Sequence, residues 1–369
     1  MQASEWIKQG LVVRGNWARL KQCMRRAGQG ETLHIGFLGG SITQGSLATK
    51  DTLCYAYRVF EWWQEKFPQA QFKYINGGIG GTSSHYGGAR AWKDVLKYRP
   101  DVVVVDFSVN DDADEFFEET YEGVIRQLLQ APSRPAVIIM NNVFYDDGHN
   151  AQDFHNRIGA YYGIPCVSMK AAVYPMIGDG LYEAPELTPD NLHPNDLGHG
   201  YVADTIKYFL DTVRNDLASE ESEPDYPAPL TANSYENSKL YQIENNCFSL
   251  EGFQVDADEK KGMLDLYKNG WTASHLNDKI TFEIDCSCMA VQYRKSVQKP
   301  VPVASAVIDG DTEHPVILDG NFEETWGDCL YLQKLLHHAE QKKHTLEISI
   351  IETHDDDVRP FYLVSVIAS

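Results

Sequence analysis

The stretch Asp101–Phe107, DVVVVDF, constrains the fold more than any other part of the chain. Four consecutive valines cannot alternate between a wet face and a dry one. They read as a strand covered on both sides, as in the middle of a parallel sheet. His34–Leu38 (HIGFL) reads as another buried strand, with Phe72–Ile75, Ala136–Met140 and Pro165–Ser168 as further ones. Helical periods separate them. Thr52–Phe67 carries Leu53, Tyr57 and Phe60 on one face, with Pro68 just past its end. Ala89–Tyr98 and a closing segment, Asn195–Val213, follow the same period. Strands separated by helices predict a three-layer α/β domain with a parallel sheet over residues 1–218. Its first stretch of about 30 residues is expected to pack on a second domain.

That second domain follows a Ser-, Glu- and Pro-rich segment, Ser219–Leu230 (SEESEPDYPAPL), which reads as a linker over residues 219–230 or as chain wrapping over the surface. Beyond it the period changes. Lys279–Cys286, Ala304–Ile308, Thr345–Ile351 and Phe361–Ala368 read as strands, with turn signals such as Asp309-Gly310-Asp311 between them. Helical pattern is confined to a short stretch near Leu332–Glu340. Residues 231–369 are therefore expected to form an all-β sandwich.

Charge and cysteine usage narrow the function classes. A formal net charge of −21 repels nucleic acid and anionic membrane surfaces, whereas a neutral substrate such as a sugar is compatible with it. The seven cysteines form no disulfide framework, and no second Cys or His pair lies at zinc-ligand spacing, so reduced thiols and no metal are expected. The N-terminus shows no secretory pattern and no apolar run approaches membrane length, which leads to the expectation of a cytoplasmic protein. A homodimer is the prior for a chain of this size.

Ligands of an open parallel sheet bind at the carboxyl ends of its strands. The first buried strand runs into Gly39-Gly40-Ser41-Ile42-Thr43. Two glycines permit a tight turn, and Ser41 at the sheet mouth is placed as a nucleophile whose own amide can hold an oxyanion. Gly-Gly-Ser is also a common turn, or half of a phosphate loop, although the lysine of a P-loop is missing. The next strand runs into Asn76-Gly77-Gly78-Ile79-Gly80-Gly81, glycine-dense as if bare amides point into a site. The valine strand ends in Ser108-Val109-Asn110-Asp111, where Asn110 is either an oxyanion donor or a turn residue capping the acidic helix that follows. The acids of Asp111–Glu122 read as a solvated helix start. Finally, Asp190-Asn191-Leu192-His193-Pro194 sets a carboxylate three residues before an imidazole, so one ring nitrogen can be held while the other faces a serine. His85, His149, His155 and His199 have no partner at such spacing.

Together these four segments resemble the four blocks of the SGNH, or GDSL-like, hydrolases, over about residues 34–210. The resemblance implies a serine esterase without metal or organic cofactor. Ser41 would be the nucleophile, His193 the base and then the acid, and Asp190 its orienter. The amides of Ser41 and Gly81 and the side chain of Asn110 would form the oxyanion hole, with Gly78 as the fallback donor and Gly40 and Gly78 facing substrate. Two positions depart from the family pattern: Gly40 replaces the usual Asp, and Ser108 the usual Gly.

Esterases with an added β-sandwich resemble carbohydrate-active enzymes, with the sandwich similar in architecture to a carbohydrate-binding module. The substrate expected is an acetylated oligosaccharide, mannan- or xylan-derived. Trp326, in the polar turn-rich segment Asp319–Asp328, and Trp271, after Asn269-Gly270, are the candidates for a flat face against a sugar ring. The short linker leads to the expectation that Trp326 stacks on a sugar at the serine site.

Overall fold

The valine run is the heart of a six-stranded sheet. The computed structural model describes residues 2–369, in two compact units that divide between Glu236 and Asn237. In the first, β1 (Leu11–Val13), β2 (Thr32–Gly39), β3 (Gln71–Gly78), β4 (Val102–Asp106), β5 (Ala136–Asn141) and β6 (Cys166–Ser168) lie in the order β1-β6-β5-β4-β2-β3. All neighbours are parallel except β1, which runs antiparallel to β6 at the edge. Side chains of a strand alternate between faces, and β4 uses both. Val102 and Val104 join the core beneath helices Ala18–Gly28, Tyr55–Lys66 and Asp196–Asn215. Val103 and Val105 join the core beneath Ser84–Asp94, Glu115–Gln130 and Gln152–Tyr162. Each such buried valine contributes roughly 1.5–3 kcal/mol relative to exposure. Among the described residues no helix is long and apolar enough to cross a membrane.

The N-terminal residues are part of this unit's own fold: Leu11–Val13 completes the sheet, and Leu20, Met24 and Ala27 enter its core. Of the two readings of Ser219–Leu230, the wrapping chain is the one found. Glu221 pairs with Arg14 at 3.0 Å, Glu223 with Arg19 and Arg134, and Tyr226 lies under the Arg19 guanidinium, so the segment is strapped along the first unit. The acids of helix Glu115–Gln130 are not all solvated. Glu118, Glu119 and Glu122 are buried, because Arg157 pairs with Glu118 and the returning strap donates its Leu230 and Thr231 amides to Glu122.

The second unit is all-β and antiparallel. One sheet holds β15 (Cys329–Leu336), β12 (Met289–Lys295), β17 (Phe361–Ala368), β10 (Trp271–Ala273) and β9 (Gln254–Val255), with β7 (Lys239–Tyr241) also paired to β17. The other holds β14 (Val316–Asp319), β13 (Val303–Ile308), β16 (Lys342–Glu352), β11 (Lys279–Cys286) and β8 (Phe248–Glu251). Ile280, Phe282 and Ile284 of β11 share one core with Val291 and Tyr293 of β12 and Leu363 of β17. The helix expected near Leu332–Glu340 is instead β15. Its leucines fit a helical stripe, but Tyr331 pairs across to Tyr293 and the backbone is satisfied by β12. Trp271 is not a surface face either: it is fully buried, edge-on to Phe248 and Phe282.

Candidate active site

The carboxyl ends of β2, β3 and β4 build one half of the site. At the end of β2 the chain turns through Gly39-Gly40 into a short helix, Ser41–Gln44. The Gly40 amide donates to the Asp106 carbonyl at 3.2 Å, which hangs the turn on β4. Ser41 lies at the head of that turn, 7% exposed. A Cβ at Gly40 would sit 2.1 Å from the Asn110 carboxamide oxygen, so a side chain there would push the Asn110 side chain aside. That close approach places Asn110 beside the residue before Ser41.

β3 runs further than the pattern indicates, through Gly77 and Gly78. These two glycines serve packing. A Cβ on Gly78 would lie 2.2 Å from the Gln44 nitrogen, and the Gly78 amide already donates to Asn76 Oδ1 at 2.8 Å. Gly78 is therefore not an available donor. The Ile79 amide donates to the Gly39 carbonyl at 3.0 Å and the Gly80 amide to Gln44 Oε1 at 2.6 Å. Gly81 follows in the left-handed region, φ +67°, open to space. Among the described residues nothing accepts from the amides of Ser41 and Gly81.

The other half is a single loop. His193 Nε2 lies 2.8 Å from Ser41 Oγ, and His193 Nδ1 lies 2.6 Å from Asp190 Oδ2. The second Asp190 oxygen accepts the His193 amide at 2.7 Å and the Leu192 amide at 3.1 Å. Asn191, at φ +63°, makes the turn that brings them round, and its carbonyl accepts from the Tyr145 amide at 2.7 Å. Burial works to raise the Asp190 carboxyl, but the His193 ring and the two amides outweigh it and hold it below the usual range. A carboxylate on Nδ1 fixes the tautomer that leaves Nε2 free to accept the serine proton.

A protein-family comparison matches residues 37–201 to the GDSL-like lipase/acylhydrolase family. Among solved structures, a two-domain esterase active on acetylated mannans is 52% identical, over 98% of this chain and 97% of its own, with a TM-score of 0.96. The chain belongs to the GDSL-like hydrolase family. That esterase structure contains mannopentaose; a second structure of a two-domain esterase active on acetylated mannans matches at 52% identity, 98% coverage of both chains and a TM-score of 0.97. No curated protein matches the chain.

Around this GDSL-like site lie buried groups that motif reading passes over. Asp106, 2% exposed, accepts from Asn142 Nδ2 at 2.7 Å, and burial pushes its carboxyl up to about 7 against the hydrogen bonds of Asn142 and Ser108. Ser108, the second departure from the family pattern, donates its hydroxyl to the Asn142 carbonyl at 3.0 Å. Asp111, next to Asn110, is buried against His155 at 3.1 Å and accepts the Ser84 amide at 2.7 Å. His199 faces the Ser46 carbonyl at 3.1 Å and the Tyr55 amide at 3.3 Å, and burial lowers its pKa to about 4, so it is a neutral brace for the loop after Ser41. An acid inside DVVVVDF is the sequence signal for Asp106. His155 and His199 have none, because their partners are distant in sequence.

In the second unit Trp326 is 65% exposed, with the edge of Phe322 against it at 5.1 Å.

Proposed function

We propose that this chain is a serine esterase that removes O-acetyl groups from acetylated, mannan-derived oligosaccharides. The reaction class rests on the Asp190–His193–Ser41 relay, with spacings of 2.6 and 2.8 Å. The substrate class rests on the likeness to esterases active on acetylated mannans.

In this reading His193 Nε2 takes the Ser41 proton as Oγ attacks the acetyl carbonyl carbon. The negative charge that develops on the carbonyl oxygen is held by the amides of Ser41 and Gly81 and by the Asn110 side chain. The ester C–O bond breaks, and His193 gives its proton to the departing sugar oxygen, which leaves as the hydroxyl. Water, activated by the same histidine, then attacks acetyl-Ser41, releasing acetate and restoring the serine. Asp190 stays ionised throughout and stabilises the imidazolium. The exposed face of Trp326 stacks on a sugar ring. A cytoplasmic setting belongs to the same reading; its support is that all seven cysteines are free thiols, as where the redox poise keeps thiols reduced.

The test is acetate release from acetylated mannooligosaccharides, xylooligosaccharides and acyl p-nitrophenyl esters, with mass spectrometry of the products. Acetyl loss from the mannan series, and a preference for acetyl over butyryl and longer esters, is expected. A preference for octanoyl or acyl-CoA substrates would move the protein to lipid or thioester chemistry.

A further inference from the structure

Arg90 lies in helix Ser84–Asp94 and is fully buried. Its position is unusual for what it holds. Nη2 donates to the Gly39 carbonyl at 2.8 Å and faces the Thr82 hydroxyl at 3.3 Å. Nη1 donates to the Gly77 carbonyl at 2.6 Å and to Asp94 at 3.1 Å. Gly39 stands two residues before Ser41, and Thr82 directly follows Gly81. The links close on themselves: the Thr82 hydroxyl donates to the Ile79 carbonyl at 2.6 Å, and the Ile79 amide donates to the Gly39 carbonyl at 3.0 Å. One guanidinium therefore ties together the β2 end that carries Ser41 and the β3 end that carries Gly81.

We propose that Arg90 is a positioning residue for the oxyanion hole, setting the spacing between the Ser41 and Gly81 amides. The inference rests on the serine-esterase reading of the site. A buried guanidinium is costly to desolvate, and Arg90 Nε finds no partner among the described residues. An apolar side chain would fill the space without that cost. It could not span two carbonyls and a hydroxyl, which the planar five-donor fork does and a lysine ammonium, a single compact donor group, does not. Oxyanion donors act only when they are aimed at the place where charge develops, so loosening this tie should weaken transition-state binding and leave ground-state binding alone.

The experiment compares wild type, Arg90→Lys, Thr82→Val and Ser41→Ala on a small activated acetyl ester, with circular dichroism and thermal melts to confirm folding. Arg90→Lys keeps the charge beside Asp94 but loses the fork. Its kcat is expected to fall about 10–100-fold with KM unchanged. The acid limb of its pH profile should not move, because His193 and Asp190 are held by other contacts. Thr82→Val removes only the hydroxyl link and should show the same pattern with a smaller loss, which keeps the test valid where Arg90→Lys does not fold. Unchanged kcat in the folded variants, or a loss that appears in KM, overturns the positioning role. Ser41→Ala separates the two ideas. A dead Ser41→Ala beside a normal Arg90→Lys overturns only the role of Arg90, whereas an active Ser41→Ala overturns the serine reading itself.

Discussion

The two halves of the site are built in opposite ways. The acid–base arm is local: Asp190 and His193 are three residues apart on one loop, and the Asp190 side chain is 47% exposed. The proposed oxyanion floor draws on the ends of three strands, and the charged groups behind those ends, Arg90 and Asp106, are buried. The electrostatics run in opposite directions too. Hydrogen bonds outweigh burial at Asp190 and hold its carboxyl low, whereas burial wins at Asp106 and pushes it up to about 7. The difference teaches that a proton relay needs one short contact, while charge stabilisation needs a rigid frame.

The largest expected effect falls on the arm. His193→Ala should lower kcat/KM by roughly three to four orders of magnitude, with little change in melting temperature because the ring is partly exposed. For the wild type, kcat/KM should decline on the acid side as the imidazole takes up the proton it must accept. A profile that stays flat far into acid would show that no histidine base is involved.

On the floor the effect should be smaller and of another kind. Asn110→Ala removes one donor and should reduce kcat by about 100–1,000-fold with KM nearly unchanged. An Asn110→Ala variant that loses affinity for substrate and keeps kcat would make Asn110 a binding residue, and the contrast between the two halves would weaken.

Stability against pH sharpens the same contrast. An unfolded aspartate titrates near ~3.9. Folding raises Asp106, so its contribution is full below that value and is lost as pH rises through about 7. Asp190 is depressed, so its contribution is present above the unfolded value and lost as pH falls. Asp106→Asn stays neutral and still offers an oxygen to Asn142. Its stability relative to wild type should therefore grow between about pH 4 and pH 8, reaching on the order of a few kcal/mol. Parallel denaturation curves for the two proteins across that range would mean that Asp106 carries no such burden.

How much of this was legible follows the same division. Asp-x-x-His-Pro is visible because its partners are neighbours in sequence, and DVVVVDF places a central strand without help. The frame behind the floor is not visible, since Arg90 meets Gly39 across a sequence separation of 51 residues and nothing in Gly-Ala-Arg-Ala-Trp marks the arginine as buried. The strap over 219–236 was legible only as one of two readings, for a related reason. Its composition suits a linker as well as a wrapping chain, and the groups that hold it down, Arg14, Arg19, Arg126 and Arg134 among them, are distant in sequence. β15 was misread because leucine spacing alone cannot tell a helix from a strand whose partner is distant. Trp326 and Trp271 both follow turn signals, yet one is exposed and the other is the centre of a sandwich core.

The smallest expected effect lies in the second unit. Trp326→Ala should lower kcat/KM on acetylated oligosaccharides by roughly 5–30-fold, the worth of about 1–2 kcal/mol of stacking, and leave a small activated acetyl ester almost untouched. Equal losses on both substrates would point to a folding defect, and no loss on either to a surface residue without a part in binding.

The central claim is that Ser41 is the nucleophile, and kcat/KM of Ser41→Ala on acetylated mannooligosaccharides tests it most directly. The account predicts a loss of at least about three orders of magnitude with an unchanged melting profile. Turnover near that of the wild type would contradict it.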